Sequence, residues 1–142
     1  MAIEIVEIID SSTNKARATV NHCGHIFEGT IVGKVEEISR SVGQKITVEI
    51  DYEHLSHWCK LEDFTDELSC ICKSAKNSNI IIRGRVHNRT PLDDETSIVD
   101  IYLQQGPEFV AVDSRELDNT IPEVGDGVEL QVRKISFYPV NL

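Results

Sequence analysis

Side chains branched at Cβ dominate the apolar residues of this chain. Ile and Val together number 31, against 14 for Ala, Leu and Met combined. Such side chains lose rotamer freedom in a helix and pack well on a pleated surface, so the bias directs the chain toward strands. The local pattern agrees, because apolar residues recur at every second position, the period of a half-buried strand. Ile46, Val48 and Ile50 alternate with Thr47, Glu49 and Asp51; Val99, Ile101 and Leu103 flank Asp100 and Tyr102; Val128, Leu130 and Val132 flank Glu129 and Gln131. Strands are expected near 3–9, 16–22, 26–32, 45–52, 68–73, 79–88, 97–104, 108–113, 127–133 and 134–139. The last two are separated because the apolar parity passes from even positions (Val132) to odd ones (Ile135, Phe137) at Arg133-Lys134. A one-residue slip turns every side chain over, so a bulge or sharp bend is expected there.

Helix is confined to short pieces. Val35, Ile38 and Val42 fall at helical spacing, as do Leu117, Ile121 and Val124. A longer helix is expected between Glu53 and Glu67, with Leu55, Trp58, Cys59, Leu61 and Phe64 on one buried face.

The two halves of the sequence align on each other. Gly24 falls on Gly106, Phe27 on Phe109, Val42-Gly43 on Val124-Gly125, Val20 on Tyr102, Ile46 on Val128 and Val48 on Leu130. The Val-Gly turn followed by alternating apolar residues resembles the turn and strand after the short helix in OB-type barrels, and Gly29 to Val35 resembles an opening strand of that fold. The expected fold is therefore all-β, built of small antiparallel OB-like units in tandem, a first unit over 1–66 and a second over 67–142. A single antiparallel β-sandwich is the alternative.

The charge balance narrows the function. With 24 acidic and 14 basic residues the net charge is −10, which disfavours general binding of nucleic acid or an anionic membrane. No apolar run approaches the roughly 20 residues of a membrane span. Acids near the N-terminus argue against a secretory signal, so a cytoplasmic setting is expected, with Cys23, Cys59, Cys70 and Cys72 as free thiols. If any did pair, adjacent strands would bring Cys59 toward Cys70 or Cys72.

Catalytic signatures are absent: there is no G-x-S-x-G elbow, H-E-x-x-H, phosphate-cradling Gly-Lys loop or G-x-G-x-x-G. Gly125-Asp126-Gly127 reads as a tight turn. Cys23 between His22 and His25 lacks an orienting third group and an oxyanion site. No enzyme activity, catalytic residue or cofactor is expected. His54, His57, Cys59, Cys70 and Cys72 offer zinc-type donors within a short span. In a strand, however, Cys70 and Cys72 stand roughly 6–7 Å apart along the backbone, and a core role is preferred to a metal site.

Two surfaces remain. Acid clusters at Glu62-Asp63, Asp66-Glu67 and Asp93-Asp94-Glu95 suggest attraction of a basic protein. Between Glu67 and Asp93, in contrast, no acid occurs, and a strand over Asn79 to Arg89 places Arg83, Arg85, His87 and Arg89 on one face. Guanidinium groups in a row suit phosphates or carboxylates, unless neighbouring acids neutralise them. The expectation is a non-enzymatic acidic protein that acts on a protein partner, for instance by masking a basic one. The alternative is an OB-type module that holds single-stranded nucleic acid or a phosphorylated ligand on the Arg83–Arg89 strand.

Overall fold

The strands expected from the alternation form, the last two of them as one continuous strand. The computed structural model describes residues 1–104, 108–118 and 120–140; Gly106, matched above to Gly24, lies outside them. In chain order the elements are β1 (Ala2–Ser11), β2 (Lys15–His22), β3 (His25–Val32), α1 (Val35–Arg40), β4 (Lys45–Leu61), β5 (Cys70–Lys73), β6 (Ile80–Pro91), β7 (Ser97–Leu103), β8 (Glu108–Asp113) and β9 (Gly127–Pro139). Short 3-10 turns occupy Asp66–Leu68 and Ser114–Leu117.

The expected helix over Glu53 to Glu67 does not form. Residues 53–61 continue β4, because β9 offers them a full antiparallel partner from Glu53↔Lys134 to Leu61↔Gly127. The helix-like spacing of Leu55 and Trp58 comes instead from a bulge, which falls between Leu55 and His57.

The pairings close a first barrel. β1 pairs with β2, β2 with β3, β3 in parallel with the end of β9, β9 with β4, and the start of β4 with β1. This closed order of five strands, with α1 between the third and fourth, is that of an OB-like barrel. The fifth strand is borrowed from the far end of the chain. A second unit is built the same way: β6 pairs with β7, β7 with β8, β6 with the start of β9, and β9 with the end of β4. β5 adds to the start of β6. Among the described residues β8 is not paired with β4, so this second ring stays open on that side. The sandwich alternative is set aside, since two packed sheets would not share strands in a ring.

The registers of the two units match. Ile3↔Ile46 in the first corresponds to Gly84↔Val128 in the second, and Ile5↔Val20 to Val86↔Ile101. Each unit also has a bulge at the same place, between Ile5 and Glu7 and between Val86 and Asn88. In each, the glycine of the Val-Gly turn donates to the residue before the bulge: Gly43 to Ile5 at 2.7 Å and Gly125 to Val86 at 2.8 Å. The sequence alignment needs one adjustment. Val20 corresponds to the buried Ile101 rather than to Tyr102, and Phe27 to the buried Val110 rather than to the exposed Phe109.

The parity change at Arg133-Lys134 involves no register shift in β9; the local irregularity lies on the partner strand, where His54, opposite Arg133, has a φ of 54°. The β4–β9 register runs unbroken from Val48↔Pro139 to Leu55↔Val132. The strand continues, and the barrel changes sides. Up to Val132, β9 turns its buried face to the second unit; from Ile135 onward the opposite face packs into the first, where Ile135 and Phe137 lie against Gly29.

Candidate functional site

That crossing opens a cleft. Along one edge of β9, Val132 still pairs with Ile80 of β6, while Ser136 already pairs with Thr30 of β3. Residues 133–135 between them pair with neither strand on that edge. Among the described residues the β3–β9 ladder pairs only Thr30 and Ile31 of β3, and earlier residues of β3 line the gap. The result is a cleft of about 490 Å³ between the outer face of the first barrel and the β5–β6 hairpin. Its size and its place between two packed units are those of small-molecule sites.

Four cations line it: Arg17 from β2, Lys73 at the end of β5, and Arg133 and Lys134 from the crossing. Glu28 is the one acid in the lining among the described residues, and Thr19, Thr30 and Ser78 add hydroxyl groups. In a chain of net charge −10 this is a strong local reversal of sign. The four cations are not equally available. Arg17 donates to Asp10 at 2.6 Å and to Glu28 at 3.1 Å. These bonds, the one to Asp10 first, raise the Arg17 pKa, and the same contact holds the Asp10 carboxyl below its ordinary value. Lys134 stands 4.0 Å from Glu53. Among the described residues, Lys73 and Arg133 have no carboxylate within ion-pair distance.

The matching position of the second unit carries the opposite charge. Where the first unit has Arg133, Thr19 and Thr30, the equivalent registers of the second hold Asp51, Asp100 and Asp113. Shared backbone geometry therefore does not dictate a cationic lining; the side chains of this one cleft supply it.

The basic strand proposed from sequence is not assembled as a row. Arg83 and Arg85 project from the outer face of β6, but each is already held. The Arg83 guanidinium donates to Glu129 at 2.7 Å. That of Arg85 donates to Asp66 at 2.7 Å, to the Gly125 carbonyl at 2.6 Å and to the Phe64 carbonyl at 3.2 Å. The bulge after Val86 then breaks the alternation. Arg89 lies opposite the buried Val99, whereas Arg85 lies opposite the outward Tyr102, and cross-strand partners share a face. Arg89 thus projects from the other side. His87, at the bulge, joins an outer aromatic group, its ring 5.2 Å from Phe109 and 6.1 Å from Tyr102. A hollow of about 230 Å³ beside Arg83 is lined also by Glu62 and by Glu129, the ion-pair partner of Arg83.

The sulfur and imidazole groups are likewise dispersed. Cys59 on β4 is separated from β5 by β9 and β6, three strand spacings or roughly 14 Å. This rules out the adjacency to Cys70 or Cys72 considered from sequence. The Sγ atoms of Cys70 and Cys72 approach to 3.9 Å, closer than their backbone spacing implies, because both side chains turn toward each other. Among the described residues no three His, Cys, Asp or Glu side chains gather as a metal cluster. No helix among them is long and apolar enough to cross a membrane.

Sequence reasoning missed all four cleft cations. One signal was present: Arg133-Lys134, a basic doublet in an acidic chain, sits where the parity changes and both residues are exposed. Lys73 lies in the acid-free basic stretch between Glu67 and Asp93 but outside the Arg83–Arg89 strand chosen from it, and Arg17 carries no local mark; only the tertiary fold brings the two to the doublet.

The chain matches no known family profile, and no curated protein resembles it in sequence. Among solved structures it is similar in fold to the cytoplasmic molybdate-binding protein ModG, in a crystal form with molybdate bound. The TM-score is 0.50 at 11% identity, over 96% of this chain and 92% of that one. This likeness concerns the fold, and it agrees with the OB-like reading of the two units. The expectation of an acidic protein that masks a basic protein partner is corrected by these findings. The cleft here is lined mainly by cations, and the fold neighbour is a molybdate-binding protein.

Proposed function

We propose that this protein binds a small anionic ligand, without catalysis, in the cleft where β9 crosses between the two units. The observation that carries the reading is the convergence of Arg17, Lys73, Arg133 and Lys134 on one cavity of an acidic chain, with Lys73 and Arg133 free of carboxylate partners among the described residues. Unpaired cations beside hydroxyl donors suit an oxyanion, because charge-assisted hydrogen bonds contribute about 1.5–3 kcal/mol each. Lys73 and Arg133 make the primary contacts, and the hydroxyls of Thr19, Thr30 and Ser78 complete the shell. The acidic counterpart in the second unit supports the assignment, since we read the two units as a duplication whose members have diverged in charge. Molybdate binding by the fold neighbour supports the same ligand class. We propose a cytoplasmic location, as stated for that neighbour, which suits the four free cysteines.

Isothermal titration with molybdate, sulfate and orthophosphate tests this reading. One equivalent of anion should bind, and Lys73→Gln with Arg133→Gln should weaken it at least tenfold without lowering the melting temperature. Affinity should fall as salt rises, because exposed charges are screened. Absence of binding by every anion tested, phosphate esters included, would overturn it.

A further inference from the structure

Resting on that reading, we infer that the ligand is a phosphate ester with an apolar body rather than a bare inorganic oxyanion. The first reason is size. The cleft measures about 490 Å³, whereas one water occupies about 30 Å³ of liquid volume. A tetrahedral oxyanion, with its few oxygens, fills only a small part of such a space. The volume lies instead in the range of roughly 300–1,000 Å³ that encloses organic ligands.

The second reason is the composition of the walls. Ile26 lines the cleft and is 58% exposed, although it sits within β3. An apolar side chain left in water beside a cation cluster gains nothing from an inorganic ion, which keeps its own hydration. A carbon body placed over it removes apolar surface from water, worth about 25 cal/mol per Å². The head group follows from the donors. Lys73 and Arg133 come from different strands, β5 and β9, and the hydroxyls of Thr19, Thr30 and Ser78 belong to the same lining. Donors from several directions suit a tetrahedral dianion better than a planar carboxylate.

Arg17 has a separate part. Asp10 and Glu28 hold its guanidinium, so it faces the ligand as a neutralised group and the phosphate lies toward Lys73 and Arg133. An extended polyanion is disfavoured by the net charge of −10. A small ester meets only the local cluster of cations, which outnumber the acid of the lining.

The experiment compares phenyl phosphate, orthophosphate and phenol by isothermal titration on the full chain and on Ile26→Ser. The expected result is phenyl phosphate at least tenfold tighter than orthophosphate, phenol too weak to detect, and the preference reduced at least fivefold in Ile26→Ser. Orthophosphate should still bind that variant, which shows that the anion site is retained. Its circular dichroism and melting temperature should match the parent, because Ile26 is outside the core. Equal affinity for phenyl phosphate and orthophosphate would overturn this inference and leave the anion site standing. A preference that persists in Ile26→Ser overturns the placement of the apolar body. If no anion binds, both this inference and the anion site fall.

Discussion

Val132 and Ile135 are three residues apart on one uninterrupted strand, both fully buried, and they face opposite sides into different barrels. Adjacent side chains of a strand point to opposite faces, so an odd separation inverts the direction. The crossing needs two consecutive exposed residues, and Arg133 and Lys134 supply them. β9 thereby closes the first barrel with one end and pairs with β6 of the second unit with the other, and the change of neighbour along its edge leaves the cation-lined gap.

Inserting one Ser between Arg133 and Lys134 should therefore unfold the protein. The insertion turns every following side chain over, so Ile135 and Phe137 leave the first barrel. Arg133→Ser, in contrast, should change stability by less than about 0.5 kcal/mol, as exposed positions do. Urea denaturation of both variants measures this. A stable insertion variant would show that the crossing tolerates a free register.

Gly84 has no room for a side chain. A Cβ there would lie 2.6 Å from the Tyr102 carbonyl oxygen and 2.7 Å from Ile101 Cγ2. Backbone cannot move aside as a side chain can, so Gly84→Ala should cost about 3 kcal/mol, at the upper end for overpacking. Gly29→Ala meets the Phe137 ring at 2.7 Å, and a ring can shift, so a smaller loss of about 1–2 kcal/mol is expected. Thermal melts of the two variants should rank in that order.

Changing Arg83, Arg85 and Arg89 together to Gln should reduce stability by about 1–2 kcal/mol, since exposed pairs contribute up to roughly 1 kcal/mol each. The loss should be larger at low salt, where Glu129 and Asp66 are left unscreened. Arg89→Gln alone should have no effect. Anion affinity of the cleft should be unaltered in the triple variant, because none of the three lines it. Denaturation at two salt concentrations, beside titration with orthophosphate, checks both halves of the statement.

Cys70 should be the slowest thiol to alkylate. Burial, and then the neighbouring Cys72, push its pKa up to about 11, so little thiolate exists near pH 8, and the thiolate is the nucleophile. Cys23 is exposed in the β2–β3 turn and should react first. Timed iodoacetamide labelling followed by mass spectrometry gives the order; early labelling of Cys70 would place it outside the core.

Alternation of branched apolar residues was sufficient to locate the strands, their buried faces and the all-β class, because those properties depend on neighbours two positions apart. Ile46, Val48, Val128, Leu130 and Val132 are buried or nearly so, as their period requires. The stretch after Glu53 misled because a bulge in a strand imitates helical spacing, and only the partner strand distinguishes the two. The parity change at Arg133-Lys134 was visible in the sequence, yet its meaning was not. A local pattern records that side chains turn over; it cannot record that a second barrel waits on the other face. The cleft lies still further from local signals. Arg17, Lys73 and Arg133 belong to β2, β5 and β9, and their convergence depends on β9 parting from β6 and joining β3. Likewise, the charges that silence Arg83 and Arg85 come from Glu129 and Asp66 across the sheet or beyond a turn. The sequence determined the strands because side-chain period is a property of the chain itself. The tertiary structure decided the site because electrostatic partnership acts through space, between residues that the sequence keeps apart.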